Sequence, residues 1–131
     1  LTSTLNDIGR EPLTVDTPFG TGQFMGMLRI ADKDLAIAWP RRTPHATVTA
    51  LRDSGFEVIF PPFQDDQDSY RAMNLVTLGP RRILMSAGLS PIFDFYEAHG
   101  IECVTVETEE LSKAAGNVGC LTGVLARDLN A

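Results

Sequence analysis

Cys120 lies in the run Glu110-Leu-Ser-Lys-Ala-Ala-Gly-Asn-Val-Gly-Cys-Leu-Thr-Gly123, where small and turn-forming residues surround a thiol. Gly116, Asn117 and Gly119 permit unusual backbone angles, so the segment reads as a hinge that presents sulfur to a substrate. The chemistry that suits it is nucleophilic attack by a thiolate. The plainer role of a free Cys is a small buried hydrophobe. Cys103, in the alternating run Ile101-Glu-Cys-Val-Thr-Val106, reads as a half-buried and inert strand residue.

Each of the two imidazoles sits at a predicted helix end. His99 precedes Gly100 and reads as a C-terminal helix feature, while His45 follows Pro44 in a first helical turn and reads as solvent-facing. Asp65, Asp66 and Asp68 lack the Gly-centred loop and closing Glu of a calcium site, and read as a solvated connector. Two Cys and two His at unrelated spacings make structural zinc a poor expectation. No metal and no cofactor is expected.

The elements that must position Cys120 recur. The first set is a strand at Met27 to Ala31, a turn at Asp32-Lys-Asp34, a strand at Leu35 to Trp39, a helix from Pro44 to Ser54 and a strand at Phe56 to Phe60. Thr43 is the expected N-cap, Gly55 stands just past the C-cap, and Val48 and Leu51 share the apolar face. The second set is a strand at Asn74 to Leu78, a turn at Gly79-Pro80, a strand at Arg82 to Ser86, a helix from Pro91 to His99 capped by Ser90, and a strand at Ile101 to Val106. A ββαβ unit thus recurs after roughly 45 to 48 residues, long enough to be a supersecondary repeat. Trp39 and Phe60 are expected core aromatics. Outside the repeats we expect a short helix near Leu5 to Gly9, a strand at Pro12 to Val15, a polar connector from Pro61 to Asp68, and a helical turn within Glu107 to Ala114. Val118 to Ala126 reads as loop and then strand.

The expected organisation is one domain over 1–131, with repeat-like units at about 16–68 and 69–131 and with 1–15 resembling the end of a preceding blade. At 131 residues and 44% hydrophobic the chain can bury one core. A net charge of −6 argues against nucleic acid as a partner, because phosphate binding needs clustered Lys and Arg. Arg41-Arg42 and Arg81-Arg82 read as solvated turn charges. No apolar stretch approaches the roughly 20 residues needed to cross a bilayer, so no membrane partner is expected. With no export signal the two thiols are expected reduced, in a cytoplasmic protein.

These repeats, ending in a Gly-rich loop with Cys just before Leu-Thr, resemble the guanidino-group modifying (pentein) superfamily of arginine deiminases, dimethylarginine hydrolases and amidinotransferases. The resemblance is carried by Met73-Asn-Leu-Val-Thr-Leu-Gly-Pro-Arg-Arg-Ile-Leu-Met85, Gly100-Ile-Glu-Cys-Val104 and Glu110 to Thr122. It implies an α/β fold of two ββαβ repeats, a partial α/β propeller corresponding to the last two of five blades. It further implies that Cys120 is the nucleophile on a guanidino compound such as arginine or a derivative. Release of amine or ammonia would leave a thiouronium adduct for water, or an acceptor amine, to resolve. The family's His-x-Asp pattern falls on Gln23 and Met25, which can neither shuttle a proton nor hold a cation by charge. Gln23, Asn74 and Gly119 are the expected substrate-binding positions, although pairing with backbone is the commoner role for side chains such as Gln23 and Asn74. The alternative is a silent pentein module that binds a ligand or assembles with itself. On either reading, another copy or a companion chain is expected to supply the missing blades.

Overall fold

The computed structural model of the chain describes residues 2–9, 11–62 and 66–126. Two three-stranded sheets form, each from a hairpin whose second strand pairs in parallel with a third. In the first, β1 (Leu28–Asp32) runs antiparallel to β2 (Leu35–Ala38), and β2 lies parallel to β3 (Glu57–Ile59). In the second, β4 (Val76–Gly79), β5 (Arg82–Ser86) and β6 (Glu102–Val106) repeat that order and polarity. Parallel neighbours need a crossover, supplied by α2 (His45–Asp53) and α4 (Ser90–Ala98). A short helix α1 (Thr2–Asp7) precedes the first unit.

The repeats match in their irregularities as well. Each hairpin carries a register shift just before its turn, between Ile30 and Asp32 and between Thr77 and Gly79. Both crossover helices end alike. Gly55 (φ 88°) and Gly100 (φ 71°) adopt the left-handed conformation just past the C-cap. The following amides reach back to the last turn, Phe56 to Leu51 O and Ile101 to Tyr96 O, each at 3.0 Å.

The larger core lies between the sheets. Leu35 and Ile37 of β2, Ile83 and Met85 of β5, and Ile92 and Tyr96 of α4 share one buried cluster, so α4 fills the space between the two units. The opposite face of β2, Ala36 and Ala38, packs with Val48 of α2 and Val58 of β3. Hence β2 is buried on both faces and reads as a continuous apolar run. Burying a side chain such as Ile92 contributes about 1.5–3 kcal/mol. Truncating it to Ala leaves a cavity and costs about 2–5 kcal/mol.

At the unit junction, Thr77 Oγ1 donates to Ile30 O at 2.6 Å and the Arg81 amide donates to Ala31 O at 3.0 Å. Arg81, at φ 49°, also pairs with Asp32 (3.3 Å) and Asp34 (3.6 Å), and its Nη1 donates to His99 O. It therefore ties one hairpin turn to the other and is no mere solvated charge. Arg82 pairs with Glu102 at 3.0 Å and the Arg42 guanidinium lies over the Trp39 ring.

Several expectations need correction. Thr43 does not cap α2: its hydroxyl donates to Met27 O at 2.8 Å, and Pro44 holds the N-cap position. Ser90 is the first residue of α4, with Leu89 before it and no side-chain cap. The polar connector folds in part as α3 (Asp66–Met73), because Ala72 and Met73 supply an apolar face to the main core; Asp65 lies outside the described residues. Residues 12–15 form no strand, since no described strand pairs with them. After α5 (Glu109–Lys113), the strand expected within Val118 to Ala126 is instead a short helix, α6 (Val118–Leu121), followed by irregular backbone. Trp39 is buried and Phe60 packs partly against the smaller core.

Candidate active site

Cys120 sits on α6, and the position of α6 is set from two sides. On one side a buried polar chain runs from Thr108 Oγ1 to Ser86 Oγ (3.0 Å) and from Ser86 Oγ to Asn117 Oδ1 (3.0 Å). The same Asn117 oxygen accepts from the Val118 amide at 2.7 Å, capping α6. On the other side Asn74, at the end of α3, meets Cys120 twice. Its Nδ2 donates to Sγ at 3.0 Å, and the Cys120 amide donates to its Oδ1 at 3.2 Å.

The loop's glycines do not act as a hinge. The positive φ falls on Ala115 (55°), Asn117 is extended (φ −158°), and neither Gly116 nor Gly119 is left-handed. Gly119 is needed for closeness instead. A Cβ there would lie 2.7 Å from Asn74 Oδ1, 2.9 Å from Arg29 Nη2 and 2.9 Å from Leu75 O.

Electrostatics separate the two thiols. Cys120 is exposed and its pKa is lowered, chiefly by the Asn74 amide donating to sulfur. Partial burial opposes this; the Asn117 backbone amide, the Tyr70 hydroxyl and the Arg29 charge add to it. The Tyr70 proton is also drawn to Ala115 O at 3.1 Å. Cys103 goes the other way, pushed up to about 12 by burial and then by the charges of Glu97 and Glu102. A thiolate is therefore accessible at Cys120 and suppressed at Cys103.

Of the expected site residues, Asn74, Gly119 and Cys120 come together. Gln23 does not join them by any hydrogen bond among the described residues; it is exposed, at the extended residue before a 3₁₀ turn (Phe24–Gly26). Its neighbours Phe24 and Met25 line an open cleft of about 340 Å³ that also borders Arg29 and Gly119. His45 is exposed on α2, and His99 Nδ1 lies 2.8 Å from Phe95 O at the end of α4. Among the described residues, neither imidazole and no carboxylate is among the groups that shift the Cys120 thiol. Among the described residues no cluster of three or more His, Cys, Asp or Glu is placed to hold a metal. Likewise no helix is long and apolar enough to cross a membrane.

Arg29, Tyr70, Ser86 and Thr108 escape the sequence reading. Arg29 had a signal, as the one charge inside the apolar run Met27 to Ala31. Tyr70 had none, because its relation to the Cys120 loop spans 45 residues of chain.

No protein-family model matches the sequence. An uncharacterized protein from Aeropyrum pernix is 34% identical over 68 residues, which are 52% of this chain and 24% of that protein. Three solved structures are similar. DDAH from Pseudomonas aeruginosa, a Cys-to-Ser mutant complexed with citrulline, superimposes with a TM-score of 0.68 at 19% identity, over 91% of this chain and 42% of that one. The inosamine-phosphate amidinotransferase StrB1 from Streptomyces griseus gives 0.66 at 16%, over 78% of this chain and 32% of that one. SxtG, an amidinotransferase from Microseira wollei in the saxitoxin biosynthetic pathway, gives 0.63 at 11%, over 76% and 32%. The chain thus spans less than half the length of each. With its paired ββαβ units and that agreement over most of its length, the chain has the pentein-type fold of the amidinotransferases and DDAH.

Proposed function

We propose that this chain is the cysteine-bearing part of a guanidino-group modifying protein, with Cys120 as nucleophile toward arginine or a derivative. One observation carries the reading: an exposed thiol of lowered pKa is held at 3.0 Å by Asn74, in a fold of amidinotransferase type. In the reaction Sγ bonds to the guanidinium carbon and the C–N bond to the leaving nitrogen breaks as that nitrogen takes a proton. Water, or an acceptor amine, then displaces the sulfur. Asn74 and Arg29 stabilise the thiolate before attack and again when it leaves.

Turnover needs a proton donor for the leaving nitrogen, and Gln23 cannot be one. It also needs carboxylates to hold a planar cation, whereas Arg29 presents a like charge. We therefore expect adduct formation with slow or absent turnover unless a second copy or a companion chain completes the site. The test is incubation with arginine, methylated arginine and agmatine, followed by mass spectrometry. The expected result is a Cys120 adduct that Cys120→Ser abolishes. Absence of both adduct and ureido product would remove the reading.

A second reading is favoured by Gln23 and by the fully exposed Phe19 and Leu125: a catalytically inactive pentein module that binds a ligand or self-assembles. Light scattering tests it, and a monomer at high concentration would count against assembly.

A further inference from the structure

The cleft between β1 and β4 is mainly apolar, and the Thr77 and Thr122 hydroxyls that border it donate to Ile30 O and Val118 O. Phe24, Met25, Leu28, Leu75 and Val124 form much of its wall, and Arg29 is the one ionisable side chain among the described residues that line it. Arg29 is half-buried, and burial lowers its pKa more than the nearby Cys120 and Tyr96 raise it. Its Nε donates to Met73 O at 2.7 Å. Among the described residues no carboxylate pairs with it. A partly desolvated guanidinium without a carboxylate is an unfavourable arrangement in the empty protein.

The fork of donors is only partly used. With Nε committed to a carbonyl, the two Nη groups remain to donate. Gly119 borders the same cleft, and a side chain there would press on Nη2 at 2.9 Å, so its absence keeps that edge of the guanidinium unobstructed. One cation with two parallel donors matches a planar monoanion, whereas a phosphate dianion would call for further donors. A volume of about 340 Å³ leaves room for a small body beside the charged head.

We infer that this cleft is a binding site for a small carboxylate with an apolar body, its head on the Arg29 Nη groups and its hydrocarbon against Phe24, Met25, Leu28 and Val124. The site lies beside the thiol but does not depend on thiol reactivity. Ligand binding would offset the desolvation of Arg29.

Hexanoate and hexylamine, which share a carbon chain and differ in charge, are the probes, titrated into the full chain with amide NMR as readout. Hexanoate should shift the Gly119 amide and the Arg29 Nε–H saturably, at least about tenfold more tightly than hexylamine, because only the anion pairs with the guanidinium. Arg29→Gln should abolish the preference for the anion, and Arg29→Lys should retain part of it. Equal behaviour of the two probes on the unmodified protein, or hexanoate shifts that persist in Arg29→Gln, overturns the inference without relying on a variant that folds poorly. Absence of guanidino chemistry with hexanoate still bound removes the proposed reaction and leaves this site standing; the reverse result removes the site alone.

Discussion

Asn74 and Cys120, 46 residues apart in sequence, are joined by two hydrogen bonds, Nδ2 to Sγ at 3.0 Å and the Cys120 amide to Oδ1 at 3.2 Å. The second fixes the amide orientation, so the NH₂ group must face the sulfur. A neutral side chain thereby favours the thiolate without placing a proton acceptor beside it.

Asn74→Ala removes the largest influence lowering the Cys120 pKa. The pKa should rise, and alkylation by iodoacetamide should slow at pH values below it, by about tenfold for each unit of rise. Asn74→Asp should raise it further, because a carboxylate repels the thiolate. The pH–rate profile of Cys120 alkylation, followed by mass spectrometry, is the check; an unshifted midpoint in Asn74→Ala refutes this assignment.

The two thiols should label in strict order. With Cys103 pushed up to about 12 and only half exposed, its thiolate is scarce at neutral pH. Limited iodoacetamide at pH 7 should modify Cys120 at least about a hundredfold faster, since the thiolate is the reacting form. Peptide mapping reads the ratio, and comparable labelling would contradict the thiol environments described above.

Gly119→Ala should damage both stability and site. The new methyl group meets Asn74 Oδ1 at 2.7 Å and the backbone oxygen Leu75 O at 2.9 Å, and the latter cannot swing aside. We expect a loss of about 1–3 kcal/mol in urea denaturation, the usual range for overpacking. The Cys120 pKa should rise as Asn74 is displaced. Gly123→Ala, where nothing lies within 4 Å, should stay within about 0.5 kcal/mol of the parent.

Ser86→Ala removes the hydroxyl between Thr108 and Asn117 in a fully buried setting. The cost should be about 1–3 kcal/mol, because polar partners are left buried and short of a hydrogen bond. Hydrogen exchange should speed most at the amides of Val118 and Cys120, which the Asn117 cap and turn hold. Exchange that rises uniformly across β5 and β6 would instead mean that the chain supports the sheet and not α6.

Local elements were readable from residue order because their determinants are local. The hairpin before Leu35, the crossover helices and their endings at Gly55 and Gly100 follow from alternation, 3.6-residue periodicity and bonds that reach back five residues, as from Phe56 to Leu51. The repeat was likewise legible, since each unit carries its own copy of the pattern. Cys120 stood out among small residues, but its exposure was decided by the structure.

The N-caps and the final segment were not readable in this way. Thr43 turns to Met27 O, α3 forms because Ala72 and Met73 find a core built by other elements, and Val118 to Leu121 coils because Asn117 is held by Ser86. Each choice is made by a partner far along the chain, which no local window contains.

Sequence alone determined the repeated ββαβ order and singled out Cys120 among small neighbours, because periodicity and local composition are properties of adjacent residues. Only the tertiary structure decided what surrounds it: Asn74 on the sulfur, Arg29 across an apolar cleft, and Gly119 kept bare between them. Those groups meet because the second unit packs against the first, bringing Arg29 to Met73 across 44 residues, and the charge beside the thiol follows from that packing.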